Sequence, residues 1–155
     1  MLAKGGGEFI EEVASPLPEA LALTEQLLIA GSVTTTDALG MGLLLAQRPD
    51  MLDALRADRS RVETFVEEVL RLHSPPQGAF RIVVCDTENE GVAIKAGSRV
   101  MLRWAAANRD EDIFVNGEEV DLRLANVRSH LTFGYGIYSC QGSALARTEL
   151  ATVFR

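Results

Sequence analysis

Phe133-Gly134-Tyr135-Gly136-Ile137-Tyr138-Ser139-Cys140-Gln141-Gly142, running on into Ser143-Ala144-Leu145-Ala146-Arg147, is the stretch that decides the fold. It reads as a glycine-bent loop that delivers one sulfur to the start of a helix. Backbone N–H groups without intrahelical partners gather there and, with the helix dipole, favour negative charge on a sulfur. Glycines let the backbone approach a flat or bulky ligand closely. A sulfur so placed can act as a metal ligand, a nucleophile or a redox thiol. A small buried cysteine among ordinary turns is an equally simple reading of the loop taken alone. A nucleophile would need a base, and His73 and His130, the two histidines, stand in no recognisable partner pattern.

Outward from the loop, the spacing predicts a last helix after Gly142 with Leu145, Ala146 and Leu150 facing inward. Asp110 to Leu131, before the loop, has no sustained period and reads as a long irregular segment of the kind that usually carries function. Trp104 to Asn108 predicts a helical turn. Short β-branched runs at Arg81 to Val84, Val92 to Ile94 and Arg99 to Leu102, parted by Glu90-Gly91 and Ala96-Gly97, predict a small sheet. Further upstream, Ser60 and Glu63 read as a capping box for a helix whose Val62, Phe65, Val66, Val69 and Leu70 recur at intervals of three and four. His73-Ser74-Pro75-Pro76 ends it. A helix opened by Pro49 runs to about Ala57, and a longer one spans Glu19 to Gln47. The middle of that long helix holds poor helix formers, Gly31, Thr34, Thr35, Thr36, Gly40 and Gly42, which predicts local distortion or the close approach of another body. A short helix is expected over Glu8 to Ala14.

Composition narrows the class. With 155 residues, 47% of them hydrophobic, the chain can bury one ordinary core. The net charge of −7 is uneven, since residues 1 to 70 carry 5 basic and 12 acidic groups and residues 71 to 155 carry 10 of each. No basic stripe stands out, which argues against nucleic acid or an anionic membrane as partner. Two cysteines are too few for a disulfide framework, and no secretory signal is evident, so a reducing cytoplasm is expected. Gln26 to Thr36, the most apolar stretch, falls short of the ~20 residues of a spanning helix.

The cysteine loop resembles the ligand loop of the cytochrome P450 (haem-thiolate) family, Phe-Gly-x-Gly-x-His-x-Cys-x-Gly. Phe133, Gly134, Gly136, Cys140 and Gly142 match five of its six fixed positions, and Leu145-Ala146-Arg147 fits the helix that follows. Tyr138 stands where the family usually has a propionate-binding histidine; a phenol donates one hydrogen bond and brings no positive charge at neutral pH. Three further features occur in the family's order. Glu68-Val69-Leu70-Arg71 is similar to its Glu-x-x-Arg, a buried ion pair that would make Glu68 and Arg71 structural. Arg123 and Asn108-Arg109-Asp110 also resemble the segment that this pair engages. Arg81 takes the place of an arginine that pairs with a haem propionate. Ala30-Gly31-Ser32-Val33-Thr34-Thr35 resembles the oxygen-binding turn, in which Thr34 would be the hydroxyl donor and Gly31 would admit the porphyrin. Val33 occupies the place of the acid linked to proton delivery, and Asp37 is a candidate substitute.

The resemblance implies a mainly α fold with a small β-sheet, a partial cytochrome P450 fold over residues 19–155, with residues 1–18 as a short N-terminal helical remnant. It also implies haem b (iron protoporphyrin IX) held by Cys140 as axial metal ligand, with Phe133, Gly134, Gly136, Tyr138, Gly142, Arg81 and Ala30 at the cofactor and Thr34, Gly31 and Asp37 in catalysis. The expected activity is insertion of one oxygen atom from O2 into a small organic substrate, with electrons from a ferredoxin or flavoprotein partner. Family members are more than twice this length. Gly7 to Pro18 resembles a stretch well before the oxygen-binding helix, so an internal deletion near Pro18 to Leu23 is expected, leaving apolar surface open to self-association. A haem-binding or interaction fragment without turnover, and a thiol-dependent enzyme using Cys140 without haem, stand as alternatives.

Overall fold

In a computed structural model, residues 17–155 are described. The helix expected over Glu8 to Ala14, and with it nearly all of the segment 1–18, lies outside them. The chain divides into two compact units, one ending at Thr34 and one running from Thr35 to Arg155.

Helix α1 (Leu17–Ala46) begins two residues before the expected start, because Pro18 fits a first turn where its missing N–H costs nothing. Its 30 residues include an 18-residue window of mean hydropathy 1.4, long and apolar enough by length and composition to cross a membrane, where the sequence suggested no such span. A soluble core helix meets the same description. Within the second unit, Ala38 and Gly42 of α1 are buried, and Gly42 lies against the ring of Phe154. A Cβ there would come within 2.8 Å of Phe154 Cε2, so glycine sets the distance of approach.

Helix α2 (Pro49–Ala57) follows with its proline in the first turn. The predicted Ser60–Glu63 capping box does not form. Asp58 caps the next element instead, accepting from Ser60 N at 3.0 Å and Ser60 Oγ at 2.6 Å, and a 3-10 turn (Arg59–Arg61) leads into α3 (Val62–His73). The Ser60 hydroxyl goes to the charged acceptor, the stronger partner, and Glu63 turns toward Arg155 at 3.5 Å.

Helix α3 is the centre of the core. Val62, Phe65, Val66, Val69 and Leu70 are buried as the three-four spacing predicts. They pack on Leu150 and Phe154 of α5 (Ser143–Phe154), and the rings of Phe65 and Phe154 meet edge to face at 5.2 Å. Leu145, expected to face inward, is 61% exposed. The contact stripe of α5 runs through Arg147, Leu150, Ala151 and Phe154, at intervals of three and four, and position 145 falls off it.

Two two-stranded antiparallel sheets replace the single small sheet. Strand β1 (Ala79–Ile82) pairs with β4 (Arg99–Leu102), placing Arg81 opposite Val100. Strand β2 (Thr87–Asn89), absent from the sequence reading, pairs with β3 (Val92–Ile94). Positive φ at Glu90 (50°) and Gly91 (77°) makes the two-residue turn that joins them, so β3 finds its partner in its immediate neighbour.

After the short α4 (Trp104–Ala107), the irregular segment is held by buried side chains. Asn108 Nδ2 donates to Ser74 Oγ (2.6 Å) and Thr132 Oγ1 (2.9 Å), while its Oδ1 accepts from Leu131 N (2.6 Å). Gly117 is packed on the backbone of Arg109, where a Cβ would lie 2.7 Å from a carbonyl carbon. Gly117→Ala is therefore expected to destabilise the chain by roughly 1–3 kcal/mol in urea unfolding; an unchanged midpoint would mean that this turn yields freely.

Candidate functional site

Positive φ at Gly134 (72°) and Gly136 (68°) bends the loop twice. A Cβ at Gly134 would be strained there and would also approach Tyr138 O at 3.3 Å. Gly134 N donates to Leu131 O, and Cys140 N donates to Phe133 O, both at 2.8 Å, which closes the loop on itself. Between these bonds lies a 3-10 turn (Gly136–Tyr138). The Cys140 thiol is free and exposed, three residues before α5 begins. Tyr135, Ile137 and Tyr138 are exposed as well, at 87%, 91% and 78%.

Arg81 of β1 comes to this loop. Its guanidinium lies 6.0 Å from the centroid of the Tyr138 ring, and its Nη1 donates to Phe80 O at 2.9 Å. The structure thus brings together Cys140, Phe133, Gly134, Gly136, Tyr138, Gly142 and Arg81. Ala30, Gly31 and Thr34 belong to the first unit, where Thr34 Oγ1 donates to Ala30 O at 2.7 Å. Asp37 lies in the second unit, with its Oδ2 2.8 Å from His73 Nε2, tying α1 to the end of α3.

Glu68 and Arg71, 0% and 1% exposed, form a two-pronged pair at 2.6 and 3.0 Å. Arg71 also donates to the carbonyls of Asn108 (2.8 Å), Gly117 (2.6 Å) and Glu119 (2.9 Å), so all five of its N–H groups are used. Asp121 N donates to Glu68 Oε2 at 2.8 Å. This pair anchors the irregular segment that leads to the loop.

The sequence reading missed Glu67, which is 2% exposed. Its carboxylate accepts from Arg147 Nε (2.7 Å) and Nη2 (3.1 Å), meets His130 Nε2 at 3.0 Å, and lies 3.4 Å from Arg128 Nε. Burial alone would raise its pKa, but hydrogen bonds from His130 and Arg147, with their charges, bring it down from 4.5 to about 2. Its partners come from 63 and 80 residues further along, and next to Glu68 it looks like any solvated helix acid.

The donor set fits a haem. Among the described residues, no group of three or more His, Cys, Asp or Glu side chains is placed to hold a metal, and the exposed Cys140 thiol offers a single sulfur donor, the number a haem takes from such a loop. Exposed aromatic and aliphatic side chains beside it, with the Arg81 guanidinium, suit a flat apolar ring bearing carboxylates. The described histidine bonds go to Asp37 and Glu67, not to the thiol.

The sequence pattern of the cytochrome P450 family matches residues 16–155. A putative cytochrome P450 140 of Mycobacterium tuberculosis is 40% identical over 132 residues, covering 84% of this chain and 30% of the relative. Cytochrome P450 105A3 of Streptomyces carbophilus is 39% identical over 137 residues, covering 87% and 33%. Among solved structures, cytochrome P450 CREJ in complex with (4-ethylphenyl) dihydrogen phosphate superposes with a TM-score of 0.86 at 37% identity, over 93% of this chain and 36% of that one. The Tepidiphilus thermophilus P450 heme domain gives 0.85 at 27% identity, over 95% and 35%. The chain spans about a third of the length of the curated relatives it matches.

Proposed function

Because the chain belongs to the cytochrome P450 family, we propose that it is a haem-thiolate protein of monooxygenase type, with Cys140 as the iron ligand of a haem b. Its fold is mainly α with small antiparallel sheets, as in the P450 structures it resembles. When bound, the haem supplies activation of O2 and transfer of one oxygen atom to a small organic substrate. The observation that carries the reading is the exposed Cys140 sulfur, held at the start of α5 by the bond from its own N–H to Phe133 O.

The residues divide the work. Cys140 offers its sulfur from a loop whose glycines leave room for a flat group. Tyr138 has one O–H to donate and Arg81 a fixed positive charge, and together they address carboxylates. Thr34, whose Oγ1 donates to the Ala30 carbonyl, would be the hydroxyl that holds and passes on a proton. Val33 offers no proton, and the Asp37 carboxylate is engaged by His73, so proton supply to Thr34 is weak. Electrons would come from a ferredoxin or flavoprotein, and a cytoplasmic setting suits two free thiols.

The test is spectroscopic. The full chain mixed with haem, reduced and exposed to carbon monoxide should give a strongly red-shifted thiolate-type band, lost in Cys140→Ala and kept in Cys85→Ala. Absence of that band from the unaltered chain would overturn the reading. The engagement of Asp37 by His73 favours a second reading, haem binding without turnover. Oxygen uptake with a surrogate electron donor, coupled to product rather than peroxide, would exclude it.

A further inference from the structure

We propose that Glu67 is a positioning residue for the iron-binding loop, acting through Arg147 and His130 on the ring of Phe133. The assignment of the loop to iron rests on the haem-thiolate reading above; the mechanical link does not. Phe133 meets both of these side chains. The Arg147 guanidinium lies 4.5 Å from its ring centroid, and the His130 ring lies 6.0 Å away, tilted by 43°. Both contacts are anchored on one carboxylate, since Glu67 bonds Arg147 through two oxygens and His130 through one. His130 is fixed further by Thr132 N, which donates to its Nδ1 at 3.3 Å. The Phe133 carbonyl accepts the Cys140 N–H at 2.8 Å. Glu67 on α3 therefore reaches the sulfur-bearing residue in three steps, through a guanidinium plane, an aromatic ring and a backbone hydrogen bond.

The burial of Glu67 would otherwise be a waste of a charge, because a carboxylate 2% exposed must be matched by cations and their geometry. Planarity matters in that match. A guanidinium can lie flat on a ring while forking onto a carboxylate, which an ammonium cannot do. Arg128 supplies the contrast, because it also approaches Glu67, at 3.4 Å, while the guanidinium over the Phe133 ring is that of Arg147. Charge balance alone would be preserved by a lysine at position 147, whereas a positioning role makes the guanidinium plane of Arg147 matter to Cys140.

Amide hydrogen exchange at Cys140 in the full, haem-free chain reads the link directly, with the buried α3 amides of Val69 and Leu70 as reference for global opening. Arg147→Lys, which keeps the charge and loses the plane, should speed Cys140 exchange roughly three- to fivefold relative to that reference. Glu67→Gln should speed it roughly tenfold or more, and Arg128→Gln should leave it unchanged. In the haem-loaded chain, the thiolate-type carbon monoxide band should lose share in Arg147→Lys and keep it in Arg128→Gln. Equal effects of the two arginine substitutions on Cys140 exchange, or none from Arg147→Lys, would overturn the proposal. A missing band in the unaltered chain would instead strike the haem reading, with the exchange data still deciding the link. Should Glu67→Gln not fold, the two arginine variants carry the test.

Discussion

Arg71→Leu is expected to remove roughly 3–5 kcal/mol of unfolding free energy, measured by urea titration of the far-ultraviolet circular dichroism. The substitution strands the Glu68 carboxylate, 0% exposed, with a single remaining donor, Asp121 N. It also orphans the carbonyls of Asn108, Gly117 and Glu119, which lie 37, 46 and 48 residues away along the chain. Burying such groups without partners is costly, and the loss is a large share of the ~5–15 kcal/mol that holds a domain together. Arg71→Lys should recover only part of it, since three N–H donors cannot serve five acceptor contacts. Arg48→Gln, at an ion pair whose side chains are half exposed, should change little and serves as control. A midpoint for Arg71→Leu close to that of the unaltered chain would contradict the buried five-bond geometry.

Acid should act through Glu67. Its pKa of about 2 in the folded chain, against an ordinary 4.5, means that folding favours the ionised form. The linked stability is therefore present in full above the ordinary carboxylate value. It is lost as the pH falls from about 5 toward about 2, on the order of 3 kcal/mol in all. The groups facing the carboxylate are Arg128, His130 and Arg147, and each favours its negative charge when protonated. In Glu67→Gln the melting temperature should depend less steeply on pH in that window. Exposed carboxylates add a background slope. Asp50, through its bond with Arg48, and Asp58, through its bond with Ser60, are both held below their ordinary values. The difference between the two chains is the quantity to read, and parallel curves would show that Glu67 carries no such linkage.

The cysteine loop was legible because its requirements are local. Glycines at 134 and 136 adopt positive φ within a few residues of the sulfur they position, and Glu68 and Arg71 are one helical turn apart. The same holds for α2, α3 and α4, whose bounds follow from a proline, a three-four apolar stripe and a short alanine run. What misled was competition between local signals. The Ser60 N–H, which a capping box would offer to the Glu63 carboxylate, donates to Asp58 Oδ1 instead, and the Ser60 hydroxyl donates to the same oxygen.

By itself, then, the sequence established the family, the helix spacing, the mainly α class and the glycine-bent form of the cysteine loop. Tertiary structure alone decided that Glu67 is buried while Leu145 is not, that β3 pairs with a strand of Thr87–Asn89, and that Asn108 joins Ser74 to Thr132. The physical reason is range. Backbone propensity, capping and periodicity act over a turn or two of chain, whereas the burial of a charge or a polar side chain depends on partners dozens of residues away that only the packed fold brings within 3 Å.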